Sequence, residues 1–282
     1  MNIIQRLKNS RTGKFRPVVA IGYEVLVHVE LVFERILDAV LKRPCTASEL
    51  DDVTALIKTF ERPKKIAGLV KSIKRLYPIL KIIVVDDSKQ PGNLPGVKTI
   101  VLPYDSGVSA GRNAGLSAVT TKYMLCLDDD FIFNRHTDLL KVYRAMENNP
   151  DIDILAGEVI YLPLRIVHDF SKFSLFPTDK KPLHEAGTKM GGYAVYLKVP
   201  NFYMGRSEKI RLVGWDDKLK RLDHADFFSR AVGVLISVQD SAFKVLHYPT
   251  YFNKRYMARK NDNRHDSMLL HHKYGRPGRI QK

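Results

Sequence analysis

The chain has 282 residues, of which 45% are hydrophobic and 27% are charged, and its 46 Lys and Arg residues exceed its 30 Asp and Glu residues by 16 charges. A chain of this length and composition can bury a core without disulfide or metal support, which excludes a small stapled domain and a disordered chain. The positive charge predicts an anionic partner, such as nucleic acid, an anionic lipid surface or a phosphorylated substrate.

The two cysteines, Cys45 and Cys126, lie far apart in the sequence. They provide no disulfide framework and no thiolate metal site, and so low a number is typical of a reducing compartment. The most apolar segment, residues 18–33, is short for a membrane span and is interrupted by two glutamates and a histidine. The N-terminus lacks the apolar run and small-residue cleavage site of a signal peptide. We therefore expect a cytoplasmic protein with at most a peripheral membrane contact.

Three segments are predicted along the chain. Residues 1–50 have apolar and polar side chains at helical spacing and are predicted to form an N-terminal helical appendage. Residues 51–250 alternate apolar strands with amphipathic helices, with strands predicted at 53–57, 82–85, 98–102, 122–127 and 152–156 and helices at 64–77, 108–119 and 137–147. Continuous β-branched strands are typical of a parallel sheet, so this segment is predicted to be a doubly wound α/β domain. Residues 251–282 form a basic C-terminal segment.

Polar side chains follow the strands of this predicted sheet. Thr59 and Phe60 follow the first strand, Asp86 and Asp87 follow the second, and the triplet Asp128, Asp129 and Asp130 follows the fourth. Ligands of open α/β sheets bind at the carboxyl ends of strands, and carboxylates are the ligands that Mg²⁺ and Mn²⁺ prefer. Taken alone, the triplet is better explained as an N-capping acid cluster before the next helix. The three strand ends together favour a metal and nucleotide site.

Residues 106–115 place small side chains at the start of a predicted helix, with Arg112 on its first turns. Backbone N–H groups and the helix dipole at such a position can hold a diphosphate, and an arginine can assist them. The segment matches neither a Walker loop nor a dinucleotide-binding fingerprint. The alternative is a flexible helix entry that is packed by glycine and alanine.

Two residues further along the chain are candidates for chemistry. Asp226 lies in an amphipathic segment and could act as a general base on an acceptor hydroxyl. On the residues alone, the simpler explanation is favoured, namely a helix-surface acid or an ion pair with Arg221 or Arg230. His247 lies in a strand-like apolar run and could bind the same metal, although a lone histidine in such a run is more often a core residue.

With these segments in this order, the sequence resembles the inverting glycosyltransferases of family 2. Those enzymes have the GT-A fold, in which helices flank a Rossmann-like, mostly parallel and twisted sheet. The segments that carry this resemblance are Thr59–Pro63, Val84–Ser88, Ser109–Asn113 and Leu127–Phe131. A narrower resemblance is to the catalytic domain of the β-1,4-N-acetylgalactosaminyltransferases that build ganglioside-type glycans. It depends on Asn201-Phe202, Val213–Asp216 and His224–Phe228 in addition. The resemblance covers roughly residues 53–250.

The resemblance implies a transfer reaction from a UDP-sugar donor, with an N-acetylhexosamine favoured as the sugar, to a hydroxyl of a glycan or glycolipid acceptor. A single displacement would invert the anomeric centre. The residues it implies for the donor are Thr59, Phe60, Arg62 and Asp87 around uridine, Arg112 near the diphosphate, and Asp128 with Asp129 on the ribose or sugar side. It also implies Mn²⁺ or Mg²⁺ on Asp130 and His247, and Asp226 as the catalytic base.

Two other classes of function are open at this stage. A nucleic-acid-binding protein would interleave basic and aromatic residues on one surface, and residues 254–260 fit that pattern weakly. However, the charge is concentrated at the two ends of the chain, which favours an anionic membrane surface or acceptor, and no nucleic-acid partner is expected. A nucleotidyltransferase that makes nucleotide-sugars would require a glycine-rich basic loop after the first strand. Thr59–Pro63 occupies that place instead.

Overall fold

The computed structural model describes residues 16–41 and 44–275. Eleven strands in this part form one sheet. They are β1 (Val53–Thr59), β2 (Lys81–Asp86), β3 (Lys98–Val101), β4 (Tyr123–Asp128), β5 (Phe131–Ile132), β6 (Ile154–Tyr161), β7 (Ile166–Val167), β8 (Lys189–Met190), β9 (Tyr193–Val195), β10 (Tyr203–Arg206) and β11 (Ser237–His247).

The helices are α1 (Arg16–Leu41), α2 (Pro63–Leu76), α3 (Val108–Ala118), α4 (Leu139–Asn148), α5 (Ser207–Val213), α6 (Asp223–Ala231), α7 (Lys254–Lys260) and α8 (Arg264–Tyr274), with 3₁₀ turns at Ser48–Asp52 and Phe170–Lys172. Pro63 starts α2 at a position where its missing N–H costs no hydrogen bond. Asp138 caps α4, because its carboxylate accepts from the backbone N–H of Lys141. Within the described ranges, no helix combines the length and the apolar character needed to cross a bilayer.

The strand order is β3-β2-β1-β4-β10-β6-β11-β9-β8, with β5 paired to β11 and β7 paired to β6. The strands β3, β2, β1 and β4 are parallel, and β6 and β11 are also parallel to each other. The strand β10 runs antiparallel between β4 and β6. The predicted α/β fold with a mostly parallel sheet and flanking helices is therefore confirmed. The antiparallel strand β10 lies beyond 152–156, the last strand predicted from the sequence.

Hydrophobic cores cover both faces of the sheet. Ala55 and Ile57 of β1 pack in one core with α2 and α4, whereas Leu56 packs in the other with α3, α5 and α6. Side chains alternate between the faces of a strand, and every residue of β1 is buried, as a parallel central strand requires. Burial on both faces leaves the carboxyl ends of β1 and β4 as the places where polar groups can reach solvent.

The helix α1 packs against the carboxyl ends of β6 and β11. Its buried apolar residues Tyr23, Val27 and Leu31 form a small core with Ile160, Leu162 and Leu246. On the same side of the helix, Glu34 forms an ion pair with Arg135, and Asp38 forms one with Arg75. The predicted N-terminal helix is thus present and is fixed against the α/β domain by both apolar and charged contacts.

Candidate active site

A cavity of about 440 Å³ opens at the carboxyl ends of β1 and β4. All but two of the site residues predicted from the sequence line it, namely Thr59, Phe60, Arg62, Asp87, Arg112, Asp128, Asp130 and His247. The two that do not line it are Asp129 and Asp226. A cavity of this size is in the usual range for a small-molecule site.

Asp129 lies beneath the cavity and is fully buried. Its carboxylate accepts from the hydroxyl of Thr59 at 2.7 Å and from Nε of Arg62 at 3.1 Å. Arg62 also donates from Nη1 to Oδ2 of Asp130 at 2.6 Å, so one guanidinium bridges two carboxylates. Burial raises the pKa of Asp129 above its usual value, although Arg62 opposes this effect. Asp129 therefore positions Thr59 and Arg62, and this corrects the expectation that it contacts a ligand directly.

Asp130 and His247 meet because β5 pairs with the end of β11. The register places Phe131 opposite His247, and Oδ1 of Asp130 lies 3.1 Å from Nε2 of His247. Burial alone would raise the pKa of the Asp130 carboxyl, but Arg62 and His247 outweigh burial and hold this pKa well below its usual value. The other ring nitrogen of His247, Nδ1, is buried without a hydrogen-bond partner. The two predicted metal ligands are thus brought together as an ionised acid and an imidazole.

Asp87 is bound by Lys58, which the sequence analysis did not include, and by Gly107 of the predicted 106–115 segment. Lys58, which lies within buried β1, donates to Asp87 and to the carbonyl oxygen of Thr59. The other Asp87 oxygen accepts from the backbone N–H of Gly107 at 2.9 Å. Gly107 has a φ of 102°, and a Cβ there would lie 2.7 Å from Cα of Lys220, so only glycine fits. A lysine in an otherwise apolar buried strand is the sequence signal that could have identified Lys58.

Arg112 is buried at the start of α3 and connects two elements of the site. It donates from Nη2 to Oδ1 of Asp128 at 2.9 Å and from Nη1 to Asp223 at the start of α6. The Asp128 side chain is still 40% exposed and lines the cavity. Arg112 therefore holds the end of β4 against α6, and Asp128 has carboxylate surface left for a ligand.

Asp226 does not face the cavity. It is fully buried on the other side of α6, where its carboxylate accepts from Nε of Arg230 at 2.8 Å, Nζ of Lys273 at 2.7 Å and the Tyr274 hydroxyl at 2.8 Å. This arrangement corrects the expectation that Asp226 reaches an acceptor hydroxyl and agrees with the alternative of an ion pair with Arg230. Asp226 instead joins α6 to α8.

Asp223 and His224 take the place in the cavity that was expected for Asp226. His224 Nε2 lies 2.7 Å from the carbonyl oxygen of Val199. Since a carbonyl only accepts, Nε2 carries the hydrogen and Nδ1 is the nitrogen that can accept a proton. Burial, followed by the ammonium of Lys198, lowers the pKa of His224 to about 3. The imidazole is therefore neutral near pH 7.

Comparison with known proteins identifies the family of this fold and site. Residues 54–211, more than half of the chain, match the description "Glycosyl transferase family 2". The chain belongs to glycosyl transferase family 2. This membership confirms the resemblance noted in the sequence. The matched segment contains the acidic triplet and Arg112, whereas His224, His247 and the other cavity residues after position 211 lie beyond it.

Within the family, the chain is 35% identical over 194 residues to beta-1,4 N-acetylgalactosaminyltransferase 1 of Rattus norvegicus and 34% identical over 188 residues to beta-1,4 N-acetylgalactosaminyltransferase 2 of Mus musculus. Each alignment covers 65% of this chain but only 36% and 37% of the relatives, so the chain spans about a third of their length. A crystal structure of S. aureus TarS 1-349 in complex with UDP-GlcNAc has a TM-score of 0.54 at 16% identity, covering 72% of this chain and 60% of that one. This likeness confirms the GT-A fold.

The C-terminal segment contributes to the site of this family 2 protein, which its basic composition alone did not predict. Arg259 and Lys260 at the end of α7 line the cavity together with Lys220 and Arg221. The Arg259 guanidinium lies 5.6 Å from the ring centre of Phe60, within the range of a cation–π contact. The basic residues after position 250 are therefore partly a wall of the cavity.

We predict that Asp226→Asn lowers the free energy of unfolding by about 3 kcal/mol, because it leaves Arg230 and Lys273 without their buried carboxylate. Urea denaturation measures this change. Asp262→Asn is the matched control, since Asp262 pairs with Arg264 in solvent and is expected to contribute less than about 0.5 kcal/mol. Equal stability of Asp226→Asn and wild type would contradict the structural role.

Proposed function

We propose that this chain is a metal-dependent inverting glycosyltransferase that moves an N-acetylhexosamine from a UDP-sugar to a hydroxyl of a glycan or glycolipid acceptor. The observation that carries the proposal is that Asp128, Asp130 and His247 converge in a basic cavity at the strand ends of a family 2 fold. The names of the similar N-acetylgalactosaminyltransferases and the UDP-GlcNAc complex of TarS support the donor class.

The charge of the cavity supports a nucleoside diphosphate donor. Among the described side chains that line it, seven are basic and five are carboxylates. Lysine and arginine side chains bind phosphate oxygens through charge-assisted hydrogen bonds. Phe60 lines the cavity with its ring 5.6 Å from that of Tyr104 and offers a flat apolar surface for uracil. We propose that Thr59, Phe60, Arg62 and Asp87 bound the uridine pocket, with Asp128 on the sugar side.

The residues present fit a divalent cation. Within the described ranges, no three His, Cys, Asp or Glu side chains are grouped as a complete metal site. However, Asp130 Oδ1 and His247 Nε2 face each other at 3.1 Å, and a carboxylate with an imidazole is a donor set that suits a divalent cation. Asp130 and His247 would hold Mn²⁺ or Mg²⁺ together with diphosphate oxygens.

Such an ion, when bound, acts as a Lewis acid that neutralises charge on the departing diphosphate. The protein residues supply the remaining functions. Arg62 keeps Asp130 and Asp129 in place, and Arg112 keeps Asp128 beside α6. Their fixed positions reduce the reorganisation needed as charge develops on the leaving group. Lys260 and Arg259 add positive charge on the same side of the cavity.

We propose His224 as the catalytic base. As the acceptor oxygen bonds to the anomeric carbon, the bond from that carbon to the UDP oxygen breaks and its electron pair leaves with UDP. The hydroxyl proton passes to Nδ1 of His224. Asp223 is less suited because Arg112 already binds its carboxylate. The contact of Nε2 with the Val199 carbonyl fixes the ring and leaves Nδ1 free to accept the proton. A single displacement of this kind inverts the anomeric centre.

We also propose that the protein works in the cytoplasm at a membrane surface. The two described cysteines are both free, and Cys126 is buried in β4, which suits a reducing compartment. The net charge of +16 suits a surface of anionic lipid.

The proposal is tested by incubating the purified chain with UDP-GalNAc, UDP-GlcNAc, UDP-galactose and UDP-glucose, with and without Mn²⁺, and measuring the UDP released when water serves as the acceptor. We expect metal-stimulated release that is fastest with one of the two N-acetylhexosamine donors, and NMR of the first free sugar formed should show the inverted configuration. Absence of UDP release from all four donors would overturn the proposal. Release of pyrophosphate from UTP and a sugar phosphate would replace it with a nucleotidyltransferase.

We predict that the double variant Arg259→Gln/Lys260→Gln binds UDP about tenfold more weakly at low salt, because it removes two cations from the cavity wall. The loss should shrink as salt is added. Isothermal titration calorimetry with UDP measures both effects. Lys254→Gln/Arg255→Gln on the same helix is the control, since neither residue lines the cavity, and its UDP affinity should equal that of wild type.

A further inference from the structure

The outer side of α1 carries an exposed apolar stripe. Val25, Val29, Val32, Ile36 and Val40 follow one another at spacings of three or four residues, and each is between 52% and 76% exposed. We call these five residues the outer stripe. At about 100° per residue they lie on one side of the helix. Monomeric soluble proteins rarely expose an apolar surface of this extent without a binding function.

The outer stripe is wider than a single row. Val18, Ile21, Leu26 and Phe33 are also more than half exposed and fall within the same arc, which covers about 140° of the helix surface. No charged residue interrupts this arc in the described helix. Polar residues border it on both sides, with Glu24, His28 and Arg35 on one and Glu30 on the other.

Rotation of α1 cannot bury the outer stripe. The opposite side of the helix is occupied by the apolar core of Tyr23, Val27 and Leu31 and by the ion pairs of Glu34 and Asp38. Turning the helix would expose that core and break those pairs. The outer stripe therefore faces away from the protein in its stable arrangement, and something outside the α/β domain must cover it.

The chain around α1 is basic. On the core side of the helix the ring of Tyr23 lies 5.4 Å from that of Phe252, and α7 begins two residues later with exposed Lys254 and Arg255. In the sequence, Lys42 and Arg43 directly follow α1, and four more basic residues precede it. Two copies of a chain with a net charge of +16 would repel each other at such a surface. An anionic lipid surface is complementary to it in both charge and hydrophobicity.

We propose that α1 docks the protein on an anionic lipid bilayer, lying in the plane of the membrane with the outer stripe in the acyl-headgroup boundary and the positive charge of the chain attracted to the anionic headgroups. The helix α1 has one apolar side and is not apolar enough along its length to cross a membrane. Helices of this kind bind in the plane of the membrane interface. Tyr256, Arg259 and Lys260 of the adjoining α7 line the cavity, so docking brings the membrane surface beside the cavity. The acceptor hydroxyl is then carried by a membrane lipid, an assignment that rests on the proposed function.

Sedimentation of the full chain with lipid vesicles tests the docking. We expect binding to vesicles of phosphatidylserine and phosphatidylcholine, and binding at least about tenfold weaker to phosphatidylcholine alone. Val29→Gln/Ile36→Gln should weaken binding to the anionic vesicles at least about tenfold, since two aliphatic side chains no longer enter the bilayer. Val101→Gln/Leu212→Gln is the matched control, because both residues are exposed and lie outside α1, and it should bind like wild type.

Circular dichroism and UDP titration show whether each variant is folded. Equal vesicle binding by Val29→Gln/Ile36→Gln and wild type, or no vesicle binding by wild type, would overturn the proposal. A wild-type dimer in analytical ultracentrifugation that the same substitution dissociates would assign the outer stripe to a second copy instead. Failure of UDP binding in a chain that still binds vesicles would reject the proposed function and leave the docking intact.

Discussion

Replacing Asp130 by asparagine is expected to abolish the metal-dependent part of UDP binding and to reduce sugar transfer by about a thousandfold or more. The variant keeps the size of the side chain but removes the carboxylate charge that faces His247 at 3.1 Å. A hard divalent cation binds a neutral amide oxygen much more weakly than a carboxylate. The measurement is the thermal shift produced by UDP with and without Mn²⁺, combined with a transfer assay.

The control for this variant is Asp105→Asn. Asp105 lines the same cavity but pairs with Arg221 at 3.0 Å and with Lys220 at 3.5 Å, away from His247. It should therefore keep the additional thermal shift that Mn²⁺ gives with UDP. An equal metal-dependent shift in Asp130→Asn and wild type would rule Asp130 out as the metal ligand.

The second large effect is expected at His224. His224→Gln should lower kcat by about a hundredfold to ten-thousandfold, the range for loss of a general base, while UDP affinity stays at the wild-type value. Glutamine can still donate to the Val199 carbonyl, so the start of α6 should remain folded. His272→Gln on exposed α8 is the matched control and should have wild-type kcat. Full activity of His224→Gln, with loss in Asp223→Asn instead, would transfer the role of base to Asp223.

The pH dependence of the wild type provides an independent check on His224. Burial lowers the pKa of its imidazole to about 3, so the ring is unprotonated over the whole range above roughly pH 5. An NMR titration of the His224 ring, assigned by comparison with His224→Gln, should therefore show no protonation between pH 8 and about pH 5. An ordinary histidine would be half protonated at about pH 6.5. A transition of the His224 ring centred there would contradict its buried, neutral state.

The strand ends of this protein were predictable from the sequence because their signals are local. A continuous apolar run followed by an acid identifies both the buried strand and the point where it reaches solvent, as at Asp87 and Asp128. The positions of Thr59 and Arg112 follow from the same alternation of strands and helices. Parallel pairing of β1 with β4 then brings these groups to one cavity.

The orientation of α6 was not predictable in the same way. His224 and Asp226 are two residues apart and therefore point about 200° away from each other on a helix. The side that faces the cavity depends on how α6 packs. Asp226 is held by Lys273 and Tyr274, which belong to α8, a helix distant in the sequence. Local sequence contains no information on that contact. The same reasoning applies to Arg259 and Lys260, which reach the cavity only because α7 folds back across it.

Because β5 pairs with β11, the site depends more on the number of residues that precede His247 in β11 than on which residues they are. Asp130 and His247 meet only in the register that sets Phe131 opposite His247 and Leu246 opposite Ile132. Because side chains alternate along a strand, a shift of one residue would turn His247 away and bring Leu246 toward Asp130. In β11, the pairing with β6 shifts its register between Gln239 and Lys244. This shift comes before His247 in the strand and therefore sets which residue of β11 lies opposite Phe131. Substitutions in that stretch can be tolerated, whereas a single inserted or deleted residue would separate Asp130 from His247, the two proposed metal ligands.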